Sequence, residues 1–416
     1  MSGRLQPVRG TQDLLPAEQR RHRAVVDAAR RIAERYGYQE IATPIFEFTE
    51  VFARPIGETT DIVAKEMYTF KDRGGEEITL RPEYTAGIVR SIISNGLTQS
   101  LPLKLFASGP MFRYERPQKG RFRQFHQIDV ELIGVAQPAG DVEVIALGTE
   151  ILDALGVLKR TELELNTLGD TPSRLAYRDA LVKFYKDHHH KLSEDSRHRL
   201  ERNPLRILDS KDEGDRRINA QAPSFAGFLT PASRDFYAEV KRGLDALGIP
   251  YKENPRLVRG LDYYCHTAFE FTTSDLGAQG AVLAGGRYDG LMGVMGGPET
   301  PGVGWAGGIE RLALMIAEPP AGPRPIALIP IGAEGEALAL KLAFELRREG
   351  FAVDLAYSGN LKKRLQRANK VNARAAVILG EDELKRGVAA IRDLDGESQT
   401  ETPLAGLKDR LAAFRS

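Results

Sequence analysis

The chain has 416 residues, 58 of them basic and 57 acidic, which gives a formal net charge of +1. This length predicts two or three domains, and the balanced charge excludes a global positive field, so any contact with nucleic acid must depend on a local basic patch. The single cysteine excludes an intramolecular disulfide. The chain shows neither an apolar leader nor an apolar run of about eighteen residues, so we expect a cytoplasmic protein with no membrane partner.

The first part of the chain predicts a mixture of helices and strands. A helix is expected from Pro16 to Tyr36, because apolar residues recur along one face and Gly37 follows. The extended segment "YQEIATPIFEF" is interrupted by Pro44, which suits a bend or a sheet edge. Beyond it the pattern predicts a strand at 76–81, a helix at 83–93, and two strands at 104–114 and 124–134 joined by the basic segment "ERPQKGRFR".

The later segments divide the chain into domains. Residues 170–253 are charged and mostly helical, and they interrupt a strand-rich region that resumes at "YCHTAFEFTT" and "AVLAGG". A Pro-rich linker at 318–325 is followed by strands that alternate with helices, a pattern that predicts an α/β domain with a mostly parallel sheet. We therefore predict a first domain at 1–323, a helical insertion at 170–253 within it, and a C-terminal domain at 324–416.

Three motifs each have more than one interpretation. "GVGWAG" at 302–307 fits the dinucleotide-binding pattern, but a loop rather than a strand precedes it. A short strand that leads into a helix carrying Arg311, with small residues that leave room for a ligand, explains it better. "HHH" at 188–190 cannot converge on one metal ion from consecutive helical positions, so a solvated surface is expected. Cys265 and His266 are adjacent and could be a nucleophile with its base, although neighbours on a strand point to opposite faces.

Arginines and carboxylates with aromatic neighbours recur at the predicted strand ends. They lie in "RPEYTAG", "FRYERPQKGRFRQFHQIDVE", "RGLDYY", "GGRYDG" and "GIERL". If these strands belong to one sheet, the side chains form a single pocket. Several arginines without a P-loop motif indicate a triphosphate held by guanidinium groups, and the carboxylates and tyrosines beside them indicate a second ligand that is polar, cationic or amine-bearing.

These motifs resemble those of class II aminoacyl-tRNA synthetases, and most closely those of bacterial histidyl-tRNA synthetases. "YGYQEIATPIFEF", "MFRYERPQKGRFRQFHQIDVELIG" and "GVGWAGGIERL" are similar to the three class motifs, and "LVRGLDYY" and "AGGRYDG" to the two histidine-specific motifs. "VRGTQDLLP" and "NPLRILDSK" are also typical of the family. The resemblance implies an α+β catalytic domain with a six-stranded antiparallel sheet flanked by helices, and a C-terminal domain that reads the anticodon. It also implies a homodimer with Pro44 at the interface.

The resemblance implies a role for each matching residue. Arg113 and Arg259 would be catalytic and would bracket the α-phosphate of ATP, which would bind with Mg²⁺; no protein-bound metal is expected. The remaining ATP-binding residues would be Glu115, Arg121, Phe125 and Arg311. L-Histidine would be bound by Glu83, Thr85, Gln127, Glu131, Tyr263, Tyr264 and Tyr288. The acceptor stem of tRNA(His) would be met by Arg116, Gln118, Lys119 and Arg123.

The expected activity is ATP-dependent ligation of L-histidine to tRNA(His) through histidyl-adenylate, releasing pyrophosphate and AMP. The basic segment "LKKRLQRANK" is a candidate for the anticodon side, although an ordinary solvated helix explains it equally well. The alternative is a non-catalytic paralogue that acts as a histidine-sensing regulatory subunit of ATP phosphoribosyltransferase. An amide ligase that forms an adenylate explains the arginines but not the histidine motifs.

Overall fold

A computed structural model of the protein describes residues 4–57, 60, 62–118, 120–208, 210, 212–258, 261, 263–277 and 280–415. The chain forms two compact units, Met1–Pro319 and Pro320–Ser416. Of the helices in the described part of the chain, none is both long and apolar enough to span a membrane.

The first unit contains eleven strands and ten α-helices within the described residues. Its strands are β1 (Gln39–Glu40), β2 (Phe46–Phe48), β3 (Tyr68–Lys71), β4 (Glu77–Leu80), β5 (Leu103–Phe112), β6 (Gln124–Ile133), β7 (Glu162–Thr167), β8 (Lys252–Glu253), β9 (Cys265–Thr272), β10 (Ala281–Arg287) and β11 (Gly302–Gly308). Its helices are α1 (Pro16–Arg35), α2 (Glu50–Ile56), α3 (Thr85–Ser94), α4 (Pro138–Ala154), α5 (Thr171–Asp187), α6 (Glu194–Arg202), α7 (Glu213–Asn219), α8 (Pro231–Ala246), α9 (Leu291–Val294) and α10 (Ile309–Met315). A π-helical turn (Ile62–Glu66) and five short 3-10 turns complete it: Leu97–Ser100, Leu158–Arg160, His189–Lys191, Pro204–Ile207 and Phe225–Phe228.

The main sheet has eight strands in the order β1-β5-β6-β11-β10-β9-β7-β8. The six inner strands are antiparallel to one another, whereas the edge strands β1 and β8 pair in parallel with β5 and β7. The predicted sheet of six antiparallel strands is therefore wrong in its strand count and in its purely antiparallel character. β1 lies in the segment predicted to be extended at a sheet edge, whereas β8 is too short to produce an alternating apolar pattern and is not revealed by the sequence.

The two faces of this sheet have different environments. One face packs against α1, α4, α8 and α10 around a large apolar core that contains Phe106, Val130 and Trp305. The other face is covered in part by α3 and α9, around Met111 and Ile133. Alternation along each strand assigns side chains to these faces, so the polar residues of β6 that do not enter the large core lie on the face of α3.

The helical segment after β7 has an apolar core of its own. Tyr177, Leu181 and Tyr185 of α5 pack with Leu200, Ile207 and neighbours from α6, the adjoining 3-10 turn and α7. In contrast, α8 packs on α4 and places Val240 and Leu244 in the main core. The predicted insertion at 170–253 thus contains a separately packed part and a helix that shares the core of the main sheet.

A small antiparallel sheet in the order β2-β4-β3 presents an apolar surface. The register pairs Phe46 with Leu80, Phe48 with Ile78 and Phe70 with Ile78, so these side chains share one face. Phe46, Phe48 and Phe70 are each about half exposed. Aromatic side chains grouped on an open sheet face are typical of a protein contact surface.

The second unit is a five-stranded sheet with helices on both faces. Its strands are β12 (Ile326–Pro330), β13 (Val353–Leu355), β14 (Ala375–Leu379), β15 (Val388–Asp393) and β16 (Gln399–Pro403), in the order β13-β12-β14-β15-β16. Its helices are α11 (Gly332–Arg348), α12 (Leu361–Lys370), α13 (Glu381–Lys385) and α14 (Leu407–Leu411), and it has 3-10 turns at Leu404–Gly406 and Ala412–Phe414.

The direction of the strands in this sheet changes at β14. β13, β12 and β14 are parallel, whereas β15 and β16 pair in antiparallel fashion. The predicted mostly parallel sheet is thus only partly parallel. A parallel crossover needs about a dozen residues or more, and the connection from β14 to β15, which holds only the short helix α13, is too short for one.

Candidate functional site

A trough with a floor of small residues runs across the face of the main sheet that lies on the side of α3. Glu131 pairs with Gly304, and Asp129 pairs with Ala306, on neighbouring antiparallel strands. Ala306 pairs in turn with Ala284 of β10. Directly opposed residues share a face, so β6 supplies a polar wall and β10 and β11 supply a low floor. The predicted short strand before the helix of Arg311 is confirmed as β11, and its small residues leave room for a ligand.

Gly304 is required by the approach of the Glu131 carboxylate. A Cβ atom at this position would overlap the Glu131 side chain and the Val130 carbonyl oxygen. Gly304 therefore allows the neighbouring strand to pack closely against it. This explains the glycine without the dinucleotide-binding interpretation of "GVGWAG".

Glu131 is the centre of a buried hydrogen-bond network at one end of the trough. The Thr85 hydroxyl donates to Glu131 Oε1 at 2.6 Å, and the Tyr288 hydroxyl donates to Oε2. Burial raises the pKa of Glu131 to about 8, although both hydroxyl donors act in the opposite direction. Near neutral pH the Glu131 side chain can therefore be a carboxylate, which accepts a hydrogen bond from a polar ligand, or a carboxylic acid, which can also donate one.

Glu83 is fixed beside this network by the start of α3. Its carboxylate accepts hydrogen bonds from the backbone N–H groups of Thr85, at 2.7 Å, and Ala86, at 2.8 Å. Such capping of a helix N-terminus favours a carboxylate, but burial dominates and raises the pKa of Glu83. The sequence "RPEYTAG" therefore places Glu83 and Thr85 next to Glu131, as predicted for residues of one pocket.

Three tyrosines form the apolar wall of the same pocket. The rings of Tyr263 and Tyr264 have centroids 4.7 Å apart, and Tyr263 and Tyr288 meet edge to face at 5.8 Å. Burial raises the pKa of Tyr263 and of Tyr288 well above the ordinary value of a phenol. Their hydroxyls therefore stay protonated and can donate hydrogen bonds at neutral pH.

Gln127 and Asp129 have buried polar atoms without a partner. Gln127 Oε1 and Asp129 Oδ2 make no hydrogen bond within the described residues. Burial, and then the neighbouring Glu131 and Glu83, raise the pKa of Asp129 well above its usual range. Orphaned buried acceptors of this kind indicate a missing hydrogen-bond donor, and an ammonium or other donor-bearing ligand would supply it.

Arginines and an aromatic ring lie at the other end of the trough. The Arg113 guanidinium lies 5.2 Å from the centre of the Phe125 ring, and its Nε donates to the Pro82 carbonyl at 2.9 Å. Arg121 Nε lies 2.5 Å from Glu115 Oε2. The structure thus brings together four of the predicted ATP-binding residues: Arg113, Glu115, Arg121 and Phe125.

Arg311 approaches the same group from α10. Burial and then the positive charge of Arg121 lower the pKa of Arg311, and its Nε is buried without a hydrogen-bond partner in the described part of the chain. Two guanidinium groups repel each other in a partly buried site, and an anion bound between them would stabilise both charges. Arg121 and Arg311 therefore form a site suited to a phosphate chain.

Glu310, next to Arg311, fixes α10 to the start of β6. Its Oε2 accepts from the His126 backbone N–H at 2.9 Å, and its Oε1 lies 2.7 Å from His126 Nδ1. The nitrogen atoms of His22 and His126 and the Glu310 carboxylate lie within 4.8 Å of one another. Both oxygens of Glu310 are engaged by His126, so the cluster is explained as a contact between α1, β6 and α10 without a metal ion.

The predicted tRNA-binding loop has both free and engaged side chains. Arg116 and Gln118 are exposed. Arg123 lies with its guanidinium 3.7 Å from the centre of the Tyr114 ring, and its Nε donates to the Glu115 carbonyl at 3.3 Å. Lys119 lies outside the described residues. Arg123 thus shapes the loop, while Arg116 and Gln118 are available to a partner.

Arg259, the second predicted catalytic residue, also lies outside the described residues. Val258, Leu261 and Tyr264 of the same segment line a cavity of about 650 Å³, together with Arg199 of α6 and Leu205 of "NPLRILDSK". Since Tyr264 also packs against Tyr263 and Tyr288, this cavity adjoins the pocket around Glu131.

Cys265 and His266 do not form a catalytic pair. Cys265 Sγ accepts a hydrogen bond from the Asp289 backbone N–H at 3.4 Å, whereas the His266 ring packs on Phe236 at 4.7 Å. Burial raises the pKa of Cys265 to about 12, so the thiol is not ionised at neutral pH. The expectation that these neighbours diverge is confirmed.

Two features of the site are not among the residues predicted for it. Asp129 lies on the same face of β6 as Gln127 and Glu131, and the alternation in "HQIDVELI" contains the signal that could have identified it. Glu310 directly precedes Arg311, but its contact with His126 spans 184 positions along the chain. No local pattern predicts a contact at that separation.

Comparisons with known proteins agree over the whole chain. A family model described as Histidyl-tRNA synthetase matches residues 10–312, and one described as Anticodon binding domain matches residues 326–413. The histidine–tRNA ligases of Rhodospirillum rubrum and Gluconacetobacter diazotrophicus are 61% and 58% identical to the chain, and 99% of each chain is covered in both pairs. The crystal structure of the apo histidyl-tRNA synthetase of S. aureus is 36% identical and has a TM-score of 0.83, covering 98% of this chain and 99% of its own.

Proposed function

The chain belongs to the histidyl-tRNA synthetase family, and from this premise we propose that it ligates L-histidine to tRNA(His). ATP and histidine would first give histidyl-adenylate and pyrophosphate, and the tRNA 3′ end would then displace AMP. Full-length similarity to histidine–tRNA ligases supports this reaction over the regulatory-subunit alternative. The observation that carries the proposal is the buried polar pocket around Glu131, which continues into a trough that ends at a group of arginines.

The Glu131 pocket has the hydrogen-bonding groups that histidine requires. A neutral imidazole has one donor and one acceptor nitrogen, so Glu131 would accept from one nitrogen and a tyrosine hydroxyl would donate to the other. The α-ammonium group would donate to Gln127 and Glu83, with Asp129 nearby. An apolar competitor would leave these buried groups without partners, and such a pocket can discriminate by about 10⁴–10⁵-fold without editing.

The arginines at the other end of the trough would bind the triphosphate. The carboxylate of histidine and the α-phosphate of ATP repel each other, and Arg113 would reduce that repulsion and stabilise charge as the new bond forms. Arg121 and Arg311 would hold the outer phosphates, Phe125 would pack on the adenine ring, and Glu115 would lie at its edge. Mg²⁺ would arrive as part of the ATP substrate, where it offsets phosphate charge. Arg259 would act from the other side of the α-phosphate, a role that rests on the sequence motif alone.

We assign the transfer step and tRNA recognition to three parts of the chain. The loop containing Arg116, Gln118, Lys119 and Arg123 would meet the acceptor stem. Residues 170–253 would form an insertion within a catalytic domain at 1–323, and residues 324–416 would read the anticodon. The match of residues 326–413 to an anticodon-binding domain supports the last assignment. Phosphate contacts in these regions would make tRNA affinity fall with increasing salt.

We also propose that the protein is a cytoplasmic homodimer. The face of Phe46, Phe48 and Phe70 on the small sheet supports a dimer, because exposed aromatic groups of this size are rarely left uncovered. Pro44 lies in the segment immediately before this sheet, as the family resemblance implies for an interface.

The decisive experiment is ATP–pyrophosphate exchange with each of the twenty amino acids, followed by charging of tRNA(His). Exchange that depends on histidine alone, together with charging, would support the synthetase. A chain that binds histidine but shows no exchange would favour the regulatory-subunit alternative. Exchange with histidine but no charging would favour an amide ligase that forms an adenylate.

A further inference from the structure

An exposed tyrosine marks one edge of the second unit. Tyr357 follows β13 and precedes α12, and its side chain is 76% exposed. An aromatic ring left in water contributes little to folding, so packing does not explain it. Its surroundings indicate a binding role.

Hydrogen bonds fix the backbone on both sides of Tyr357. The Arg364 side chain is buried, and its Nε donates to the Gly359 carbonyl at 2.7 Å while Nη1 donates to the Pro330 carbonyl. On the strand side, the Ala356 N–H donates to the Leu328 carbonyl at 3.0 Å. Tyr357 therefore stands on a fixed support, which reduces the entropy lost when a ligand packs on its ring.

The cations of α12 divide into structural and available groups. Arg364 is buried, and Arg367 is paired with Asp354 through two contacts at 3.0 and 2.9 Å. Lys362 and Lys363 are exposed at the start of the helix, directly after the Tyr357 loop. The predicted basic helix thus offers two exposed lysines in its first turn, five and six residues after Tyr357.

We propose that Tyr357, with Lys362 and Lys363, binds one unpaired nucleotide of the tRNA anticodon loop, the base stacking on the ring and a phosphate lying near the lysines. This inference rests on the proposed function of the chain. Unpaired bases of RNA loops are commonly recognised by stacking on aromatic side chains, and lysines supply sequence-independent attraction to the backbone. The same unit has a second exposed aromatic group, Phe344 on α11, which is 63% exposed. The Arg348 guanidinium lies 5.7 Å from the centre of the Phe344 ring, so Phe344 is a control with an exposed ring that already has a cation beside it.

The test compares Tyr357→Ala, Tyr357→Phe and Phe344→Ala in the full chain. Tyr357→Ala should lower kcat/KM for charging tRNA(His) by about ten- to a hundred-fold, the loss expected for one stacked base. Tyr357→Phe, which keeps the ring, and Phe344→Ala should both stay close to wild type. Histidine-dependent pyrophosphate exchange should be unchanged in Tyr357→Ala, because that half-reaction does not use tRNA.

Two further arms identify the ligand. On an RNA minihelix that contains only the acceptor stem, wild type and Tyr357→Ala should be charged equally. Lys362→Ala and Lys363→Ala should each reduce the slope of log affinity for tRNA against log salt by about one.

The inference is overturned if Tyr357→Ala charges full-length tRNA as wild type does, if its defect persists on the minihelix, or if it changes the sedimenting mass of the protein. The last result would assign the tyrosine to a protein contact. Failure of the proposed function is distinguishable, because the wild-type chain would then show no histidine-dependent exchange.

Discussion

At the scale of single residues, Glu131 combines the recognition role proposed above with an unfavourable electrostatic environment. It is buried, and its two oxygens accept from the Thr85 and Tyr288 hydroxyls. Its raised pKa means that the folded chain binds a proton that the unfolded chain releases. A binding pocket built on such a residue is therefore maintained at some loss of stability, as is common at functional sites.

This environment predicts a pH dependence of stability. Between the ordinary pKa of 4.5 and the raised pKa of about 8, the folded state holds more protons than the unfolded state. The contribution of Glu131 to the free energy of unfolding should thus fall as pH rises through this window and level off above it. Glu131→Gln, which is always neutral, should gain stability relative to wild type between pH 5 and pH 8, measured by denaturant unfolding.

The matched control for that measurement is Glu76→Gln, at an exposed position. Its stability difference from wild type should change less with pH than that of Glu131→Gln. If Glu131→Gln and wild type keep a constant stability difference across the range, the carboxyl does not titrate there and the electrostatic argument is wrong.

Short sequence motifs predict which candidate site residues lie together where the contacts between them are local. Glu83 and Thr85 share one helix start, and Arg113, directly after β5, lies over the Phe125 ring of the paired strand β6, so short motifs place them. Asp129 and the Glu310–His126 contact were not predicted, since the first needs the face of β6 and the second needs the packing of α10 against that strand. Arg259 stays a prediction.

At the scale of elements, β11 determines how much space the site has. Its alternate residues Gly304, Ala306 and Gly308 lie under the trough, while Val303 and Trp305 enter the core on the opposite face. One strand thus has large side chains on the face that packs in the core and almost no side chains on the face of the trough.

This division predicts the effect of adding one methyl group. Gly304→Ala should force the Glu131 carboxylate to move, because the added Cβ overlaps it. We expect a loss of about 1–3 kcal/mol in the free energy of unfolding, and histidine-dependent exchange about tenfold or more below wild type. Calorimetry and the exchange assay measure the two effects.

Gly227→Ala is the control, because no heavy atom lies within 4 Å of its Cβ position. It should leave both quantities near wild type. Normal exchange in Gly304→Ala would show that the position tolerates a side chain and that β11 does not limit the pocket.

Long helices and strands with a regular apolar pattern were predicted more accurately than short ones. The long helix α1, the strands β5 and β6 and the alternating pattern of the second unit match the sequence patterns closely. β1 lies in the segment predicted to be extended, but the strand β8 and the antiparallel pairing of the C-terminal sheet at β15 were missed. Their pairing depends on the route of the chain in space rather than on local composition.

At the scale of the whole molecule, self-association is predicted through the small sheet of β2, β3 and β4. Phe48→Asp places a charge on its aromatic face, and burying an unpaired charge is costly. We expect the sedimenting mass to fall from two chains to one, as measured by analytical ultracentrifugation.

Phe344→Asp serves as the control for this prediction, because it introduces the same charge at an exposed aromatic position of the second unit. It should keep the wild-type mass. A wild-type chain that sediments as a monomer, or a Phe48→Asp chain of unchanged mass, would contradict the assignment of this face.

The edge strands of the two large sheets are short or polar, and this affects whether the protein can associate into fibres. A long unpaired strand can form backbone hydrogen bonds with another molecule and so start aggregation. In the first unit, β1 and β8 offer only two residues each at the sheet borders. In the second, β13 has three residues, and β16, "QTETP", is polar and ends in proline. Continuation of either sheet into a neighbouring molecule is thus disfavoured, so a concentrated solution should form discrete particles rather than fibres.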